Sequence, residues 1–184
     1  MLSQKQFIRE KIAKYKNALS KEKADSLSQN IGDRLVQTEL FQQAKSIALY
    51  YGIKNEVQTA ELINELHTKK KIALPVVSGE NLFFYAFLEK ENPTKGCFGI
   101  PEPVSDELIS PDQIDLFIVP GIAFDYECNR MGRGKGYYDR YLSGINKPII
   151  GLCFDFQLFE HIPYEVHDKK MKMVITELIT ITNH

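Results

Sequence analysis

Residues 116–141, LFIVPGIAFDYECNRMGRGKGYYDRY, limit what this chain can fold into more than any other stretch. An apolar run, Leu116-Phe117-Ile118-Val119, leads in, and a helix is predicted from Tyr137 to Leu142. Between them Gly132, Gly134 and Gly136 alternate with Arg133 and Lys135, and Arg130 and Arg140 flank the set. The order is strand, glycine-rich basic loop, helix. In open α/β sheets ligands sit outside the carboxyl ends of strands, which is where this order places the loop. Glycine lets backbone amides approach a ligand closely. A helix N-terminus adds unpaired N–H groups and a partial positive charge. Together these features predict an anion site, with phosphate as the expected anion.

The loop matches neither familiar phosphate signature. The Walker loop needs Ser or Thr after its lysine, and Gly136 follows Lys135. A GxGxxG fingerprint beginning at Gly132 would need glycine at 137, where Tyr137 stands. A plain surface linker would leave three glycines interleaved with Arg and Lys, beside an apolar strand, unexplained.

The rest of the chain alternates helix and strand. Residues 3–19 read as a helix with Ile8, Ile12, Tyr15 and Leu19 on one stripe; Lys5 and Arg9 share another face, in keeping with a solvated basic face. Ser20 is placed to cap a second helix carrying Leu27, Ile31 and Leu35. Strands are predicted at 46–51, 71–77, 82–87, 116–119 and 148–153, with short pieces at 173–175 and 178–181. A helix from an N-cap at Thr59 to about Lys69 buries Leu62, Ile63 and Leu66. Residues 82–87 are too apolar for clean alternation, which predicts a strand covered on both faces. Residues 96–103 read as an ordered, turn-rich loop and 104–115 as a connection. The expected fold is α/β with a largely parallel central sheet, in one domain spanning 1–184.

Charge narrows the ligand class. The 23 basic and 24 acidic residues nearly cancel, so the basic cluster is local and suits a small anion better than a nucleic acid. No run of 18 apolar residues exists, and residues 1–14 lack the apolar core of a secretory signal, so a cytoplasmic protein without a membrane partner is expected. Cys97, Cys128 and Cys153 form no CxxC and read as reduced thiols. His67, His161, His167 and His184 have no HxxxH spacing, and none is taken as a ligand.

A nucleoside triphosphate carries about four negative charges, which Arg130, Arg133, Lys135 and Mg²⁺ could offset. Asp139, just past the loop, is placed either to hold Mg²⁺ or to pair with Arg140 or Lys135. Of Tyr137 and Tyr138, one could stack on a planar ring while the other packs inward, or both could belong to the core.

The string PGIAFDYECNRMGRGKGYYDRYL resembles the signature of the 5-formyltetrahydrofolate cyclo-ligase family, whose members are also called 5,10-methenyltetrahydrofolate synthetases. The likeness extends over most of the chain: Lys5 and Arg9, NEVQT at 55–59, FGIPEP at 98–103 and IPYEVHD at 162–168 all fit. It implies a three-layer α/β sandwich of the NagB/RpiA/CoA-transferase-like type. It also implies ATP- and Mg²⁺-dependent closure of 5-formyltetrahydrofolate to 5,10-methenyltetrahydrofolate with release of ADP and phosphate; the nucleophilic oxygen of a formyl amide adds the expectation of a phosphorylated formyl (imidate) intermediate. By the same likeness ATP contacts Lys5, Arg9, Arg130, Gly132, Arg133, Gly134, Lys135, Gly136, Tyr137 and Tyr138. Folate contacts Tyr51, Glu56, Arg133, Gly134, Lys135, Gly136 and Tyr137. Mg²⁺ is held by Asp139 and Asp168, and Arg133 and Lys135 act catalytically on the phosphoryl group. The working unit is expected to be a monomer. Two positions depart from the family pattern: Cys128 stands where glycine is common, and Lys172 where an acid is frequent, leaving Asp168 the only late carboxylate of its motif. The alternatives are a sugar-phosphate isomerase of similar fold, which would consume no nucleotide, and an RNA-binding protein using GRGKGYY as a basic aromatic patch.

Overall fold

Three hydroxyls start the first three helices by one device, each accepting a backbone N–H three residues on. Ser3 precedes α1 (Gln4–Ala18), Ser20 precedes α2 (Lys21–Val36) and Thr38 precedes α3 (Glu39–Gln43). This computed structural model describes residues 3–88, 94–95, 101–103, 105–165 and 168–183. The chain continues through β1 (Ser46–Ala48), α4 (Ala60–Leu66), β2 (Lys71–Ser78), β3 (Asn81–Ala86), β4 (Thr94–Lys95) and β5 (Pro101–Glu102). Then follow β6 (Leu116–Pro120), β7 (Ala123–Asp125), β8 (Arg130–Met131), α5 (Tyr137–Leu142), β9 (Ile149–Leu152), β10 (Leu158–Phe159), β11 (Met173–Ile175) and β12 (Thr180–Thr182).

The main sheet has the order β12-β11-β9-β6-β1-β2-β3. Its five inner strands are parallel, and β3 and β12 close the edges antiparallel. The period-2 alternation of strand side chains divides the core between the two faces. Ile47, Leu49, Ile72, Leu74, Leu116, Ile118, Ile150 and Leu152 pack with α2, α3 and α4 on one side. Ala48, Ala73, Phe117, Val119, Ile149 and Val174 pack with Leu142 of α5 and with Phe124 on the other. The sheet is therefore a mostly parallel layer covered on both faces.

The order of strands places the site. From β1 the chain moves one way to β2 and β3, then crosses back to lay β6 on the other flank of β1 and continues to β9 and β11. The carboxyl ends of β1 and β6 thus diverge at a topological switch point, where α/β sheets open a crevice.

Several local readings need correction. The inward stripe of α1 is Ile8, Ile12 and Lys16; Tyr15 is half exposed and stacks on Phe156. Steps of three and of four both fit a 3.6-residue period, and packing chose the lysine. The first strand ends at Ala48, short of 51. Thr59 does not cap α4 with its hydroxyl, which donates to the Tyr50 carbonyl and accepts from Gly52 N–H; the helix ends at Leu66, before Lys69. The strand predicted at 82–87 is an edge strand whose side chains alternate between buried and half-buried. Leu178 and Ile179 lie outside β12. Residues 96–100, including Cys97 and much of FGIPEP, lie outside the described residues, as do His167 and His184.

Candidate functional site

Between the apolar strand and the glycine loop the chain inserts a hairpin that the simple strand–loop–helix order does not anticipate. After β6 it turns at Gly121, forms β7, reverses through 126–129 and returns as β8, while β10 pairs with the other edge of β7 to complete a small three-stranded sheet. Asp125, fully buried, fixes the reversal. One carboxylate oxygen accepts from Glu127 and Asn129 N–H, and the other from the Asn129 amide and from Ile162 N–H. Cys128 sits in this turn at φ 62°, a left-handed conformation that glycine adopts without strain. Burial pushes its thiol up to about 11, so it is no thiolate nucleophile. The hairpin carries Arg130 and the loop behind it back over the carboxyl ends of β1 and β6.

Arg130 is buried and engaged by the protein. One terminal nitrogen donates to the Pro120 carbonyl and the other to Asp139 Oδ1, with the guanidinium 5.5 Å from the Tyr138 ring centre. Gly134 (φ 95°) and Gly136 (φ 70°) carry the loop in left-handed conformations up to α5. A Cβ on Gly136 would stand 2.6 Å from Arg140 Nη1. Arg140 and Tyr137 tie α5 to the β2–β3 turn. Arg140 Nη2 donates to the Glu80 carbonyl at 2.6 Å, and the Tyr137 hydroxyl donates to the Gly79 carbonyl at 3.4 Å.

The loop is the wall between two cavities. The first, of about 390 Å³, is lined by Tyr50, Tyr51 and Ile53 beyond β1, by Pro75, Val77 and Leu82 of the β2–β3 hairpin, and by Pro120 and Gly121 beyond β6. Glu56, Arg130, Gly132, Arg133, Lys135, Gly136, Tyr137, Tyr138 and Asp139 complete it. The second, of about 280 Å³, is lined by Lys5, Arg9, Arg130, Met131, Gly132, Gly134, Gly136, Asp139, Pro163, Glu165 and Asp168. Arg133 and Lys135 line only the first cavity and Gly134 only the second, while Gly132 and Gly136 border both.

The first cavity is largely apolar and aromatic, with the Arg133–Glu56 ion pair at its edge besides the Arg130–Asp139 pair. Arg133, half exposed, donates to Glu56 Oε1 at 2.5 Å, and the buried Glu56 carboxylate also accepts from Ile53 N–H at 3.3 Å. Burial, reinforced by the Glu56 charge, raises the Tyr50 and Tyr138 phenols well above the usual range, so both stay neutral. The Tyr50 hydroxyl is buried with no hydrogen-bond partner among the described residues. The second cavity is polar. Lys5 pairs with Glu165 at 3.6 Å, and Arg9 Nε is buried with no hydrogen-bond partner among the described residues. An unpaired buried guanidinium N–H is costly, and an anion in this cavity would satisfy it.

Asp139 and Asp168, far apart in sequence, line this same second cavity. Each gives one oxygen to a protein donor, Asp139 Oδ1 to Arg130 and Asp168 Oδ2 to Glu165 N–H. Among the described residues no group of three or more His, Cys, Asp and Glu side chains is gathered to hold a metal. Two carboxylates beside basic side chains fit Mg²⁺, which takes one or two carboxylates and completes its shell with phosphate oxygens and water.

All the sequence-predicted contacts thus line one cavity or the other. The folate set Tyr51, Glu56, Arg133, Lys135, Gly136 and Tyr137 surrounds the first, and Gly134 faces the second. Lys5, Arg9, Gly134 and Asp168 surround the second; Arg130, Gly132, Gly136 and Asp139 border both. Sequence reasoning missed Tyr50, Ile53, Pro75, Val77 and Leu82. The signal that could have found Tyr50, Ile53, Val77 and Leu82 was their position near or beyond the ends of predicted strands; Pro75 lies inside β2, where only the strand order brings it to the cavity.

Comparisons with known proteins converge. The model of the 5-formyltetrahydrofolate cyclo-ligase family matches residues 1–177. A probable 5-formyltetrahydrofolate cyclo-ligase of Schizosaccharomyces pombe is 31% identical over 86% of this chain and 88% of its own. The 5-formyltetrahydrofolate cyclo-ligase of Haemophilus influenzae is 32% identical over 89% and 92%. The solution structure of Aquifex aeolicus 5,10-methenyltetrahydrofolate synthetase superposes with a TM-score of 0.89 at 34% identity, covering 98% of this chain and 93% of that one. The Mycoplasma pneumoniae synthetase gives a TM-score of 0.75 at 30% identity, covering 94% and 98%.

Proposed function

The chain belongs to the 5-formyltetrahydrofolate cyclo-ligase family and is a carbon–nitrogen ligase, and from that premise we propose that it closes 5-formyltetrahydrofolate to 5,10-methenyltetrahydrofolate with ATP as co-substrate. The observation that carries the reading is the shared wall: one glycine-rich loop separates an aromatic cavity from a polar one lined by Lys5, Arg9 and Arg130 and by Asp139, Glu165 and Asp168. A planar reduced folate suits the first and a triphosphate the second, so the reacting ends meet at the loop. The five parallel inner strands and the two covered faces support placing the fold with the NagB/RpiA/CoA-transferase-like three-layer sandwiches.

A formyl amide is a poor electrophile, but its oxygen is a workable nucleophile toward phosphorus. In the proposed reaction that oxygen attacks the γ-phosphorus; the new P–O bond forms as the β,γ-bridging bond breaks, and ADP leaves. N10 then attacks the activated carbon and loses its proton. The C–O bond breaks, and phosphate departs with its electrons. Arg133 and Lys135 hold the phosphoryl oxygens and stabilise charge as it spreads over them. Glu56 accepts the pterin N–H edge, and Tyr51 and Tyr137 give the ring its walls. Lys5 and Arg9 neutralise the phosphates from the far side. Asp139 and Asp168 would hold Mg²⁺, which screens the triphosphate and aligns its oxygens. The chemistry asked of the protein is chiefly positioning.

The test is to mix the protein, Mg²⁺, ATP and 5-formyltetrahydrofolate and follow the methenyl chromophore together with ADP. One ADP per methenyl group is expected. Folded protein that forms neither overturns the reading, and methenyl formation without nucleotide consumption overturns the role of ATP.

A further inference from the structure

No strand of the main sheet lines the second, polar cavity. Its walls are α1, the stretch from β8 through the glycine loop to α5, and the segment carrying Pro163, Glu165 and Asp168. Strand pairing in the main sheet therefore cannot set the spacing of these three pieces, and some other contact must.

That contact is one buried carboxylate. Asp125 is 0% exposed and lines neither cavity. From the hairpin, Glu127 N–H donates to one of its oxygens at 3.0 Å and Asn129 N–H at 2.9 Å, while the Asn129 amide donates to the other at 2.9 Å. Ile162 N–H, 37 residues along the chain, donates to that second oxygen at 3.2 Å. The same turn holds the far end of the segment, where Met171 N–H donates to the Cys128 carbonyl at 2.8 Å. Ile162 carries the tie onward to α1. Its buried side chain shares an apolar cluster with Ile8 and Ile12, and with Ala123 and Met131 of the hairpin. The same helix brings Lys5 and Arg9 to the cavity. A buried carboxylate with all its donors matched holds one arrangement, because a shift would leave an acceptor or an N–H unpaired in a dry interior.

We propose that Asp125 is a positioning residue for the nucleotide. It fixes the distance between the hairpin side of the polar cavity, with Arg130, and the side that carries Asp168, and through Ile162 it seats the helix that carries Arg9. The inference rests on the nucleotide-binding reading above. It makes the polar cavity a unit organised apart from the slot, whose lining stands on the strands of the main sheet.

Asp125→Asn takes the device apart at one point. It keeps an oxygen for the Glu127 and Asn129 N–H groups, so the turn stays closed. The new NH₂ faces two donors. The Asn129 amide can rotate to offer its own oxygen, but Ile162 N–H has no such recourse and loses its acceptor.

The experiment titrates a non-hydrolysable ATP analogue with Mg²⁺, and separately 5-formyltetrahydrofolate without nucleotide, by calorimetry into the wild type and Asp125→Asn. Affinity for the analogue should fall about tenfold and affinity for the folate should stay within about twofold. A carboxylate acting through its charge alone would repel a triphosphate, so its removal would tighten analogue binding. A merely structural group would weaken both ligands alike. Either result, or an unchanged affinity for the analogue, overturns the proposal. Should the variant fail to fold, Ile162→Ala leaves the acid all its donors and loosens the seat of α1. It should show the same split between ligands, and equal losses or none would overturn the proposal there too. A wild type that binds folate but no analogue overturns the nucleotide reading itself, and this proposal with it.

Discussion

The two cavities on either side of the Gly132–Gly136 loop are built on opposite principles. The first is defined by shape: Tyr50, Tyr51, Ile53, Pro75, Val77 and Leu82 make an apolar slot, with the Glu56 carboxylate at its edge. The second is defined by charge: Lys5, Arg9 and Arg130 line it together with Asp139, Glu165 and Asp168. The slot is assembled from strand ends, which the sheet holds rigidly. The polar cavity is assembled from α1, the loop, and Pro163, Glu165 and Asp168, which approach from three separate parts of the chain. The loop alternates in the same sense, with Arg133 and Lys135 toward the slot and Gly134 toward the polar side. Side chains line one cavity and bare backbone the other, so one short turn forms the wall of both.

The sharpest way to break that division is Lys135→Ala. If Lys135 stabilises transferred phosphoryl charge from the slot side, turnover should fall by about a hundred- to a thousandfold, near 2.7–4 kcal/mol of transition-state stabilisation. The melting temperature should hold. Steady-state kinetics decide it: near-normal turnover with only a raised folate KM would return Lys135 to the slot as a binding group.

Gly136→Ala tests whether the wall is truly shared. The new methyl would meet Arg140 Nη1 at 2.6 Å, and the left-handed backbone adds about 1–2 kcal/mol of strain. Because Gly136 borders both cavities, KM should rise for ATP and for folate together. A rise for one alone would show that the cavities are tuned independently of the loop.

Glu56→Gln sharpens the comparison from the slot side. The amide keeps the shape but loses the charge that would receive the pterin N–H edge. Folate KM should rise about tenfold, near 1.4 kcal/mol, with turnover held. A pure turnover defect would make Glu56 an acid–base group instead.

Much of this arrangement was readable in the chain, and the reasons for the gaps are physical. Three glycines among Arg and Lys after an apolar run announce an anion loop because few other uses need that spacing. The ends of α5 at Tyr137 and Leu142 were legible for the same reason. The Arg133–Glu56 pair joins positions 77 apart, and nothing local in either segment encodes a distance across the fold. The slot lining depends on strand order, which hydropathy does not reveal. Lys16 was hidden because the apolar Tyr15 beside it satisfied the helical period, and only packing against Phe156 shows that the tyrosine faces out. Asp125 was hidden because a buried acid in a tight turn reads like any exposed one.

The smallest expected effect lies at the opposite end of the sheet, and it tests whether the site is insulated from the scaffold. Asp115 ties the amino end of β6 to that of β1, one oxygen accepting from Lys45 and Ser46 N–H at 2.9 Å each. These bonds, chiefly that from Ser46, hold its carboxyl below the ordinary value of 3.8. A depressed carboxylate stabilises the fold above its unfolded pKa, and that contribution disappears as pH falls through the lower folded value. Asp115→Asn keeps an acceptor but not a charged one, and should lower stability at neutral pH by about 1 kcal/mol. Denaturant melts should show the gap between wild type and variant narrowing below pH 3.8, where the wild-type carboxyl takes up its proton. Neither KM should move, since both cavities open at the carboxyl ends of the strands. A kinetic defect in this variant would mean that strain at the amino ends of β1 and β6 is transmitted along the strands to Tyr50 and Pro120, and the rigid slot would then be as deformable as the polar cavity beside it.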